Sequence, residues 1–167
     1  MKHDFKDGLG HVSAHKHPNG QGWVANTAQV ADSAYIGPNA IVCDNALVYD
    51  NAKVFGTAQV YGNARVSGNA RVFGHALVWG NALVSGTAQI FGNTKVYENA
   101  QVYGTARVFG NARVYGYAHI YVSIDFDCDF DPWIIMQDIL NKKDELPTLI
   151  GRHPYLDKII HNILQKD

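Results

Sequence analysis

The chain has 167 residues, and its 14 Lys and Arg residues nearly balance 15 Asp and Glu residues, for a formal net charge of -1. This length fits one domain with a small appended element, and the charge provides no global field for binding long nucleic acids or an anionic membrane. Only two cysteines occur, Cys43 and Cys128, which excludes a disulfide-rich scaffold. No apolar segment approaches the ~18 residues of a membrane span, and the N-terminus lacks the apolar run of a secretory signal, so we expect a cytoplasmic protein.

Residues 1–21 contain three closely spaced histidines, His11, His15 and His17, followed by Pro18-Asn19-Gly20. One interpretation of this spacing is a set of imidazole ligands around a metal ion. No neighbouring Cys or acidic residue completes such a site, so we favour the simpler interpretation. Residues 1–21 are expected to form a loop that caps the N-terminal end of the regular segment that follows.

Residues 22–121 are dominated by a six-residue repeat. Ala, replaced once by Thr94, recurs at every sixth position from Ala28 to Ala118, and Val or Ile follows two residues later. A Gly-Asn or Gly-Thr pair usually completes the unit. Residues 22–27 resemble a degenerate first copy. A repeat of this regularity predicts a solenoid.

The composition of the unit predicts a short strand followed by a bend. Ala and Val lie two residues apart and therefore share one face of a strand, while Gly and Asn tolerate the positive φ that a bend requires. Three units make one triangular coil of 18 residues, and stacked coils bury a continuous Ala-Val core. The sixteen units from Ala28 predict an all-β solenoid of about five to six triangular coils, about 25 Å long at the usual strand spacing.

The pairing of an aliphatic residue with a small residue four positions later, as in Val60 with Ala64, Val66 with Ala70 and Val108 with Ala112, resembles the hexapeptide-repeat (bacterial transferase) superfamily. This resemblance implies a left-handed parallel β-helix, usually assembled as a homotrimer. The frequent Gly-Asn-Ala-Arg-Val motif is most similar to that of a less characterised branch found in bacterial and phage proteins.

The residues that flank each buried Val point outward and fall on three faces with an 18-residue period. The Phe face carries Phe55, Phe73, Phe91 and Phe109, with Lys53, Arg71, Gln89 and Arg107 beside them. The Tyr/Trp face carries Tyr61, Trp79, Tyr97 and Tyr115, with Gln59, Leu77, Lys95 and Arg113. The mixed face carries Tyr49, Ser67, Ser85, Tyr103 and Tyr121, with Leu47, Arg65, Leu83, Gln101 and His119. An uncovered Phe row is a large apolar strip, so we expect a subunit or intramolecular contact to cover it.

Residues 122–167 lose the repeat and form a C-terminal extension. Residues 122–131 alternate apolar residues with Asp125, Asp127, Asp129 and Asp131, which predicts a strand with one acidic face. The four carboxylates suit a divalent cation, but we favour a charged face that prevents pairing of a terminal strand with other chains. Apolar residues at helical spacing predict two short α-helices after Pro132 and Pro154, which are expected to pack on the prism or on a neighbouring subunit.

Three functional hypotheses follow from these patterns. The resemblance implies acyl transfer from acetyl-CoA, for which His75 and His119 are the candidate general bases. The uninterrupted repeat argues against this activity, because related enzymes usually insert a loop to build the site, and we assign no confident catalytic residue. We favour a non-catalytic homotrimer without a cofactor or metal, which binds a small anionic, nucleotide-like ligand between aromatic and Arg side chains of adjacent subunits. The candidate ligand-binding residues are Tyr61, Trp79, Tyr97, Tyr115, Arg71, Arg107 and Arg113. A purely structural assembly module is the third hypothesis.

Overall fold

The computed structural model describes residues 1–5, 8 and 10–121, together with the backbone of residues 125–126. Within these residues the chain is an all-β parallel solenoid of about five turns, and no helix is long and apolar enough to cross a membrane. The predicted all-β solenoid is confirmed. The left-handed sense of the coil stays a prediction of the resemblance. The acidic strand face and the two C-terminal helices expected after residue 121 lie outside the residues whose side chains the structure describes.

Three sheets form the sides of the prism. The sheet of the Tyr/Trp face contains β1 (Lys2–Asp4), β2 (His11–Lys16), β3 (Trp23–Ala25), β6 (Ile41–Val42), β9 (Gln59–Val60), β12 (Leu77–Val78), β15 (Lys95–Val96) and β18 (Arg113–Val114). The sheet of the mixed face contains β4 (Gln29–Val30), β7 (Leu47–Val48), β10 (Arg65–Val66), β13 (Leu83–Val84), β16 (Gln101–Val102) and β19 (His119–Ile120). The sheet of the Phe face contains β5 (Tyr35–Ile36), β8 (Lys53–Val54), β11 (Arg71–Val72), β14 (Gln89–Ile90), β17 (Arg107–Val108) and β20 (Asp125–Phe126).

Successive coils pair in strict 18-residue register. Lys53 of β8 lies opposite Arg71 of β11, and Arg71 lies opposite Gln89 of β14. The backbone continues this ladder through the corners: the Asn63 N–H donates to the carbonyl of Gly80 at 2.8 Å. Each outward side chain is therefore held one strand spacing from its counterpart in the next coil, which turns a sequence period into rows on the surface.

The interior is filled by the Ala and Val or Ile positions of the repeat. From Ala34 to Val108 these positions have no measurable exposure. Thr94, the one non-Ala residue at its position, is also fully buried, and its hydroxyl donates to the carbonyl of Phe91 at 2.6 Å. The hydroxyl therefore finds a backbone acceptor, as a buried polar group requires.

The corners are built on residues with positive φ, and most of these are glycines. Three acidic residues take the same conformation in place of glycine: Asp44 (φ 56°), Asp50 (φ 57°) and Glu98 (φ 59°). Each of their carboxylates accepts a hydrogen bond from the backbone N–H 18 residues later, at Gly62 (2.9 Å), Gly68 (2.9 Å) and Gly116 (2.8 Å). A bond between coils thus offsets the conformational cost of a side chain at positive φ.

The N-terminal residues differ from the expected loop. β1 and β2 form an antiparallel hairpin, and β2 continues antiparallel onto β3, so the hairpin extends the sheet of the Tyr/Trp face. The physical reason is the two-residue alternation of β2, in which Val12 and Ala14 are more buried than their exposed neighbours His11, Ser13 and His15. The segment between β2 and β3 is a loop, and its Gly22 N–H donates to the carbonyl of Ile36 at 2.8 Å.

Candidate functional site

The candidate ligand-binding residues divide between two faces of the prism. Tyr61, Trp79, Tyr97, Tyr115 and Arg113 lie on the Tyr/Trp face. Arg71 and Arg107 lie on the Phe face, in β11 and β17. One chain therefore does not bring the seven residues together, and each face has to be considered as a separate surface.

The aromatic rings of the Tyr/Trp face stack along the solenoid axis. Ring centroids are 5.7 Å apart for Tyr61–Trp79, 4.4 Å for Trp79–Tyr97 and 5.1 Å for Tyr97–Tyr115, with planes within 14° of parallel. These distances are typical of offset stacking between aromatic side chains. The rings are half-buried, and much of each ring face is occupied by a neighbour in the row.

The N-terminal end of this row is covered by the hairpin. Tyr61 packs against a buried cluster of Phe5, Ala14, Ala25 and Cys43. Burial raises the pKa of the Tyr61 phenol above its ordinary value of 10.0, and the nearby Cys43 and Asp44 raise this pKa further. A cavity of about 490 Å³ beside the hairpin is lined by Phe5, Val12, Cys43 and Asp44, and its described lining contains no Lys or Arg. Among the residues that the structure describes, the lining of this cavity therefore provides no cation to bind an anion.

The rings of the Phe face form a more regular stack. Centroids are 4.8 Å apart for Phe55–Phe73, 4.9 Å for Phe73–Phe91 and 5.0 Å for Phe91–Phe109, with planes within 8° of parallel. The sequence predicts a large exposed apolar strip on this face. The exposed apolar surface is smaller than predicted, because every ring in the stack is half-buried. The Arg107 guanidinium carbon lies 5.7 Å and 5.9 Å from the centroids of Phe91 and Phe109, within cation–π range.

A groove of about 730 Å³ lies on the N-terminal half of the Phe face. It is lined by Asn19, Ser33, Tyr35, Asn51, Lys53, Phe55, Asn69 and Arg71. Lys53 and Arg71 are exposed and directly opposite each other on adjacent strands. Among the residues that the structure describes, no carboxylate is ion-paired with either cation. Two like charges at one strand spacing repel each other, so an anion between them would relieve the repulsion.

The groove is also bordered by amide groups without internal partners. Asn51 and Asn69 occupy one corner column, one coil apart, and the described residues supply no hydrogen bond to either side chain. By contrast, the corner beside the Tyr/Trp face has a bonded amide ladder, from Asn63 to Asn81 at 3.3 Å and from Asn81 to Asn99 at 3.2 Å. The groove therefore combines two cations with two amides that remain able to donate hydrogen bonds.

The two candidate general bases do not line this groove. His75 is at an exposed corner, where its Nδ1 lies 2.7 Å from the Thr57 hydroxyl, and Thr57 is also 3.1 Å from the carbonyl of Gly74. His119 is exposed on the mixed face and meets Tyr103 edge-on, with 6.4 Å between ring centroids. Neither histidine lines the two cavities described above.

The N-terminal histidines point in different directions. His11 and His15 are exposed on one face of β2, and His15 Nδ1 lies 3.0 Å from the Asn26 side-chain oxygen. His17 is 1 % exposed, with Nδ1 3.2 Å from the Asn19 carbonyl oxygen and with no described partner at Nε2. Within the described part of the chain, no three His, Cys, Asp or Glu side chains are grouped closely enough to hold a metal ion. The candidate carboxylates Asp125, Asp127, Asp129 and Asp131 lie outside the residues whose side chains are described.

A comparison with protein families adds one finding. A family model described as the YdcK beta solenoid repeat matches residues 58–72 and 106–121. Two stretches of the chain are therefore similar to that repeat. The match and the parallel solenoid together support the resemblance to the hexapeptide-repeat β-helix superfamily. Neither the curated proteins nor the solved structures gave a significant match to this chain.

Of the eight residues that line the groove, only Arg71 was a candidate ligand-binding residue from the sequence; the nearby donors Lys53, Asn51 and Asn69 were not. The sequence placed Lys53 on the Phe face. Its pairing with Arg71 makes the two residues a candidate anion site, because no described acidic residue neutralises either of them. Sorting charges and corner amides by the 18-residue period would have revealed the adjacent Asn-x-Lys and Asn-x-Arg units, at residues 51–53 and 69–71.

Proposed function

We propose that this chain is a non-catalytic binding protein that holds a small anionic, nucleotide-like ligand in the groove of the Phe face. The observation that supports this proposal best is the pair Lys53 and Arg71, which face each other across adjacent strands without a described acidic partner. A guanidinium binds a phosphate or carboxylate through two parallel hydrogen bonds, and an ammonium adds a compact charge. Asn51 and Asn69 supply further donors along the same edge of the groove.

The ring-bearing part of such a ligand has a suitable apolar surface nearby. Phe55 follows Lys53 by two residues, directly after the end of β8, and Tyr35 lies opposite Lys53 in the preceding coil. An anionic group at the cations therefore leaves the remainder of a small ligand beside these two rings. This pairing of aromatic and cationic groups favours a nucleotide-like molecule over an inorganic anion.

We further propose that the protein is a cytoplasmic homotrimer in which the Phe face of one subunit lies beside the Tyr/Trp face of the next. Such a head-to-tail contact closes into a ring, and it would bring the Tyr/Trp row of one subunit beside the Phe face of the next. The candidate ligand-binding residues on both faces would then border one inter-subunit groove. The presence of only two cysteines in the sequence fits a reducing compartment.

Binding is favoured over acyl transfer because His75 and His119 lie outside the groove. A general base must reach the proton that it removes, directly or through one water molecule. Thus, the groove that would bind an anion has no histidine in its described lining to remove a proton.

The proposal is tested by isothermal titration calorimetry with adenosine monophosphate and, as a matched neutral probe, adenosine. We expect the monophosphate to bind at least tenfold more tightly, since charge-assisted hydrogen bonds contribute about 1.5–3 kcal/mol. Native mass spectrometry of the same sample is expected to show three copies of the 18.4 kDa chain. Equal binding of both probes, or binding of neither, would contradict the ligand proposal, and a monomeric mass would contradict the proposed trimer.

A further inference from the structure

The Phe row has an unoccupied position at its N-terminal end. Phe73 and Phe91 each stack against two rings, whereas Phe55 has one described ring partner, Phe73. One coil earlier, the position that would continue the row is Gly37. Among the described residues, no ring therefore stacks on the other side of Phe55.

Local backbone geometry explains why no side chain continues the row. A Cβ at Gly37 would lie 2.9 Å from the Cβ and 3.2 Å from the Cα of Phe55, which is closer than such atoms normally approach. Gly37 is followed by Pro38, so this corner also lacks the glycine of positive φ found at most later corners. The missing ring is therefore a consequence of how this early corner is built.

The open side of Phe55 belongs to the groove. Tyr35 and Phe55 both line it, yet the described residues include no contact between their two rings. Cε1 of Tyr35 would be 3.5 Å from a Cβ at Gly37, so the Tyr35 ring borders the unoccupied position. Lys53 links the positions of the two rings. It lies opposite Tyr35 in the sheet, and Val54 and Phe55 follow it along the chain.

The aromatic row of the Tyr/Trp face has no open ring position of this kind among the described residues. Its first ring, Tyr61, packs against the cluster that contains Phe5 and Cys43, beneath the N-terminal hairpin. The position one coil before Tyr61 is Cys43, which is 6 % exposed. Hence only the Phe row ends, within the described chain, beside a groove that also contains two cations.

We propose that the ligand carries a planar aromatic ring that stacks on the open side of Phe55 and so occupies the missing position of the Phe row. This inference rests on the proposed function, because Lys53 and Arg71 hold the anionic group of the same ligand. It specifies where the ring of the nucleotide-like ligand lies, and it makes that ring a requirement for tight binding. A sugar phosphate or an aliphatic acid would satisfy the cations and leave the ring position empty.

The test compares adenosine monophosphate with ribose 5-phosphate, which retains the sugar and the phosphate but lacks the base. Both probes are titrated into the wild-type protein and into Phe55→Leu and Phe91→Leu. Leu keeps an apolar side chain while removing the flat ring. Phe91→Leu is the matched control, since Phe91 lies in the same row, is half-buried like Phe55 and does not line the groove.

We expect Phe55→Leu to weaken binding of adenosine monophosphate about tenfold, because stacking of a base on an aromatic side chain contributes about 1–3 kcal/mol. Binding of ribose 5-phosphate should change less than about twofold in either variant. Phe91→Leu should bind adenosine monophosphate as the wild-type protein does. Circular dichroism of each variant verifies that the solenoid is retained before titration.

The outcomes separate this inference from the function on which it rests. If both probes bind the wild-type protein equally and Phe55→Leu has no effect, the ring inference is wrong while anion binding stands. Equal weakening by Phe55→Leu and Phe91→Leu would also contradict it, since the effect would then come from the row as a whole. If neither probe binds, the proposed function fails and the ring inference fails with it.

Discussion

The two aromatic rows have the same internal construction and differ at their N-terminal ends. In both, rings repeat every 18 residues and stack with centroids 4.4–5.7 Å apart. The Tyr/Trp row begins beneath a hairpin, beside a cavity whose described lining contains no Lys or Arg, whereas the Phe row begins beside a groove with two cations. The repeat therefore builds a uniform scaffold, and irregular residues next to its first coils make the N-terminal ends of the two rows differ.

The largest effect is expected from removing the hydrophobic cover of the Tyr/Trp row. Phe5 is 6 % exposed, and Phe5→Ala should reduce the free energy of unfolding of the hairpin by about 3 kcal/mol through lost burial and a residual cavity. Hydrogen exchange of β1 and β2 measures this change directly. Tyr49→Ala on the mixed face is the control, since Tyr49 is 39 % exposed and should cost about 1 kcal/mol or less.

Little change in exchange on Phe5→Ala would show that the hairpin does not protect this end of the row. The contrast between a covered and an open end would then be lost.

An intermediate effect is expected within the Phe row itself. Phe73 contacts a ring on each side, whereas Phe55 contacts one described ring. Because each aromatic pair contributes about 0.5–1.5 kcal/mol beyond burial, Phe73→Leu should destabilise the protein by about 1–2 kcal/mol and Phe55→Leu by about half as much. Urea denaturation followed by circular dichroism gives both values. Equal losses would indicate that Phe55 has a second contact and that its open side is covered.

The smallest effect on stability is expected for Tyr61. It is negligible at neutral pH and appears only under alkaline conditions. Burial, followed by Cys43 and Asp44, raises the pKa of Tyr61 in the folded protein above 10.0, so the folded state holds the phenolic proton more tightly than the unfolded chain. This contribution to stability is complete below the unfolded pKa and is lost as pH rises through the folded pKa. Between about pH 9 and 11, stability should therefore fall more steeply in the wild-type protein than in Tyr61→Phe. Denaturation curves at several pH values provide the measurement, and parallel pH profiles would contradict the prediction.

The parallel solenoid could be predicted from the sequence because every coil repeats the same pattern of core and corner residues. Ala34 and Ile36 alternate toward the core, the corner follows, and the pattern returns six residues later, so local and long-range preferences agree. The three outward faces follow from the 18-residue period alone. The register of Lys53 with Arg71 was therefore already implied by the repeat.

The remaining features depend on residues that deviate from the repeat. The repeat period alone does not indicate which of these deviations affects the structure. The hairpin was missed because β2 is a short alternating segment among histidines that suggested a metal site. The carboxylates at Asp44, Asp50 and Glu98 replace glycine, and their bonds to the next coil emerge only in three dimensions. The groove likewise requires Tyr35, Gly37 and Asn51 at specific places around Phe55, although the sequence shows each of them only as a variant of the unit.

The most direct test of the central claim, that an anion binds at the cation pair of the Phe face, is a titration of adenosine monophosphate into two charge-matched variants. Arg71→Gln removes a cation from the groove, and Arg65→Gln removes an exposed cation from the mixed face, outside the groove. We predict that Arg71→Gln weakens binding at least tenfold, whereas Arg65→Gln changes it less than about twofold, since charge-assisted bonds are lost only in the former. Equal affinities of the two variants would contradict the account.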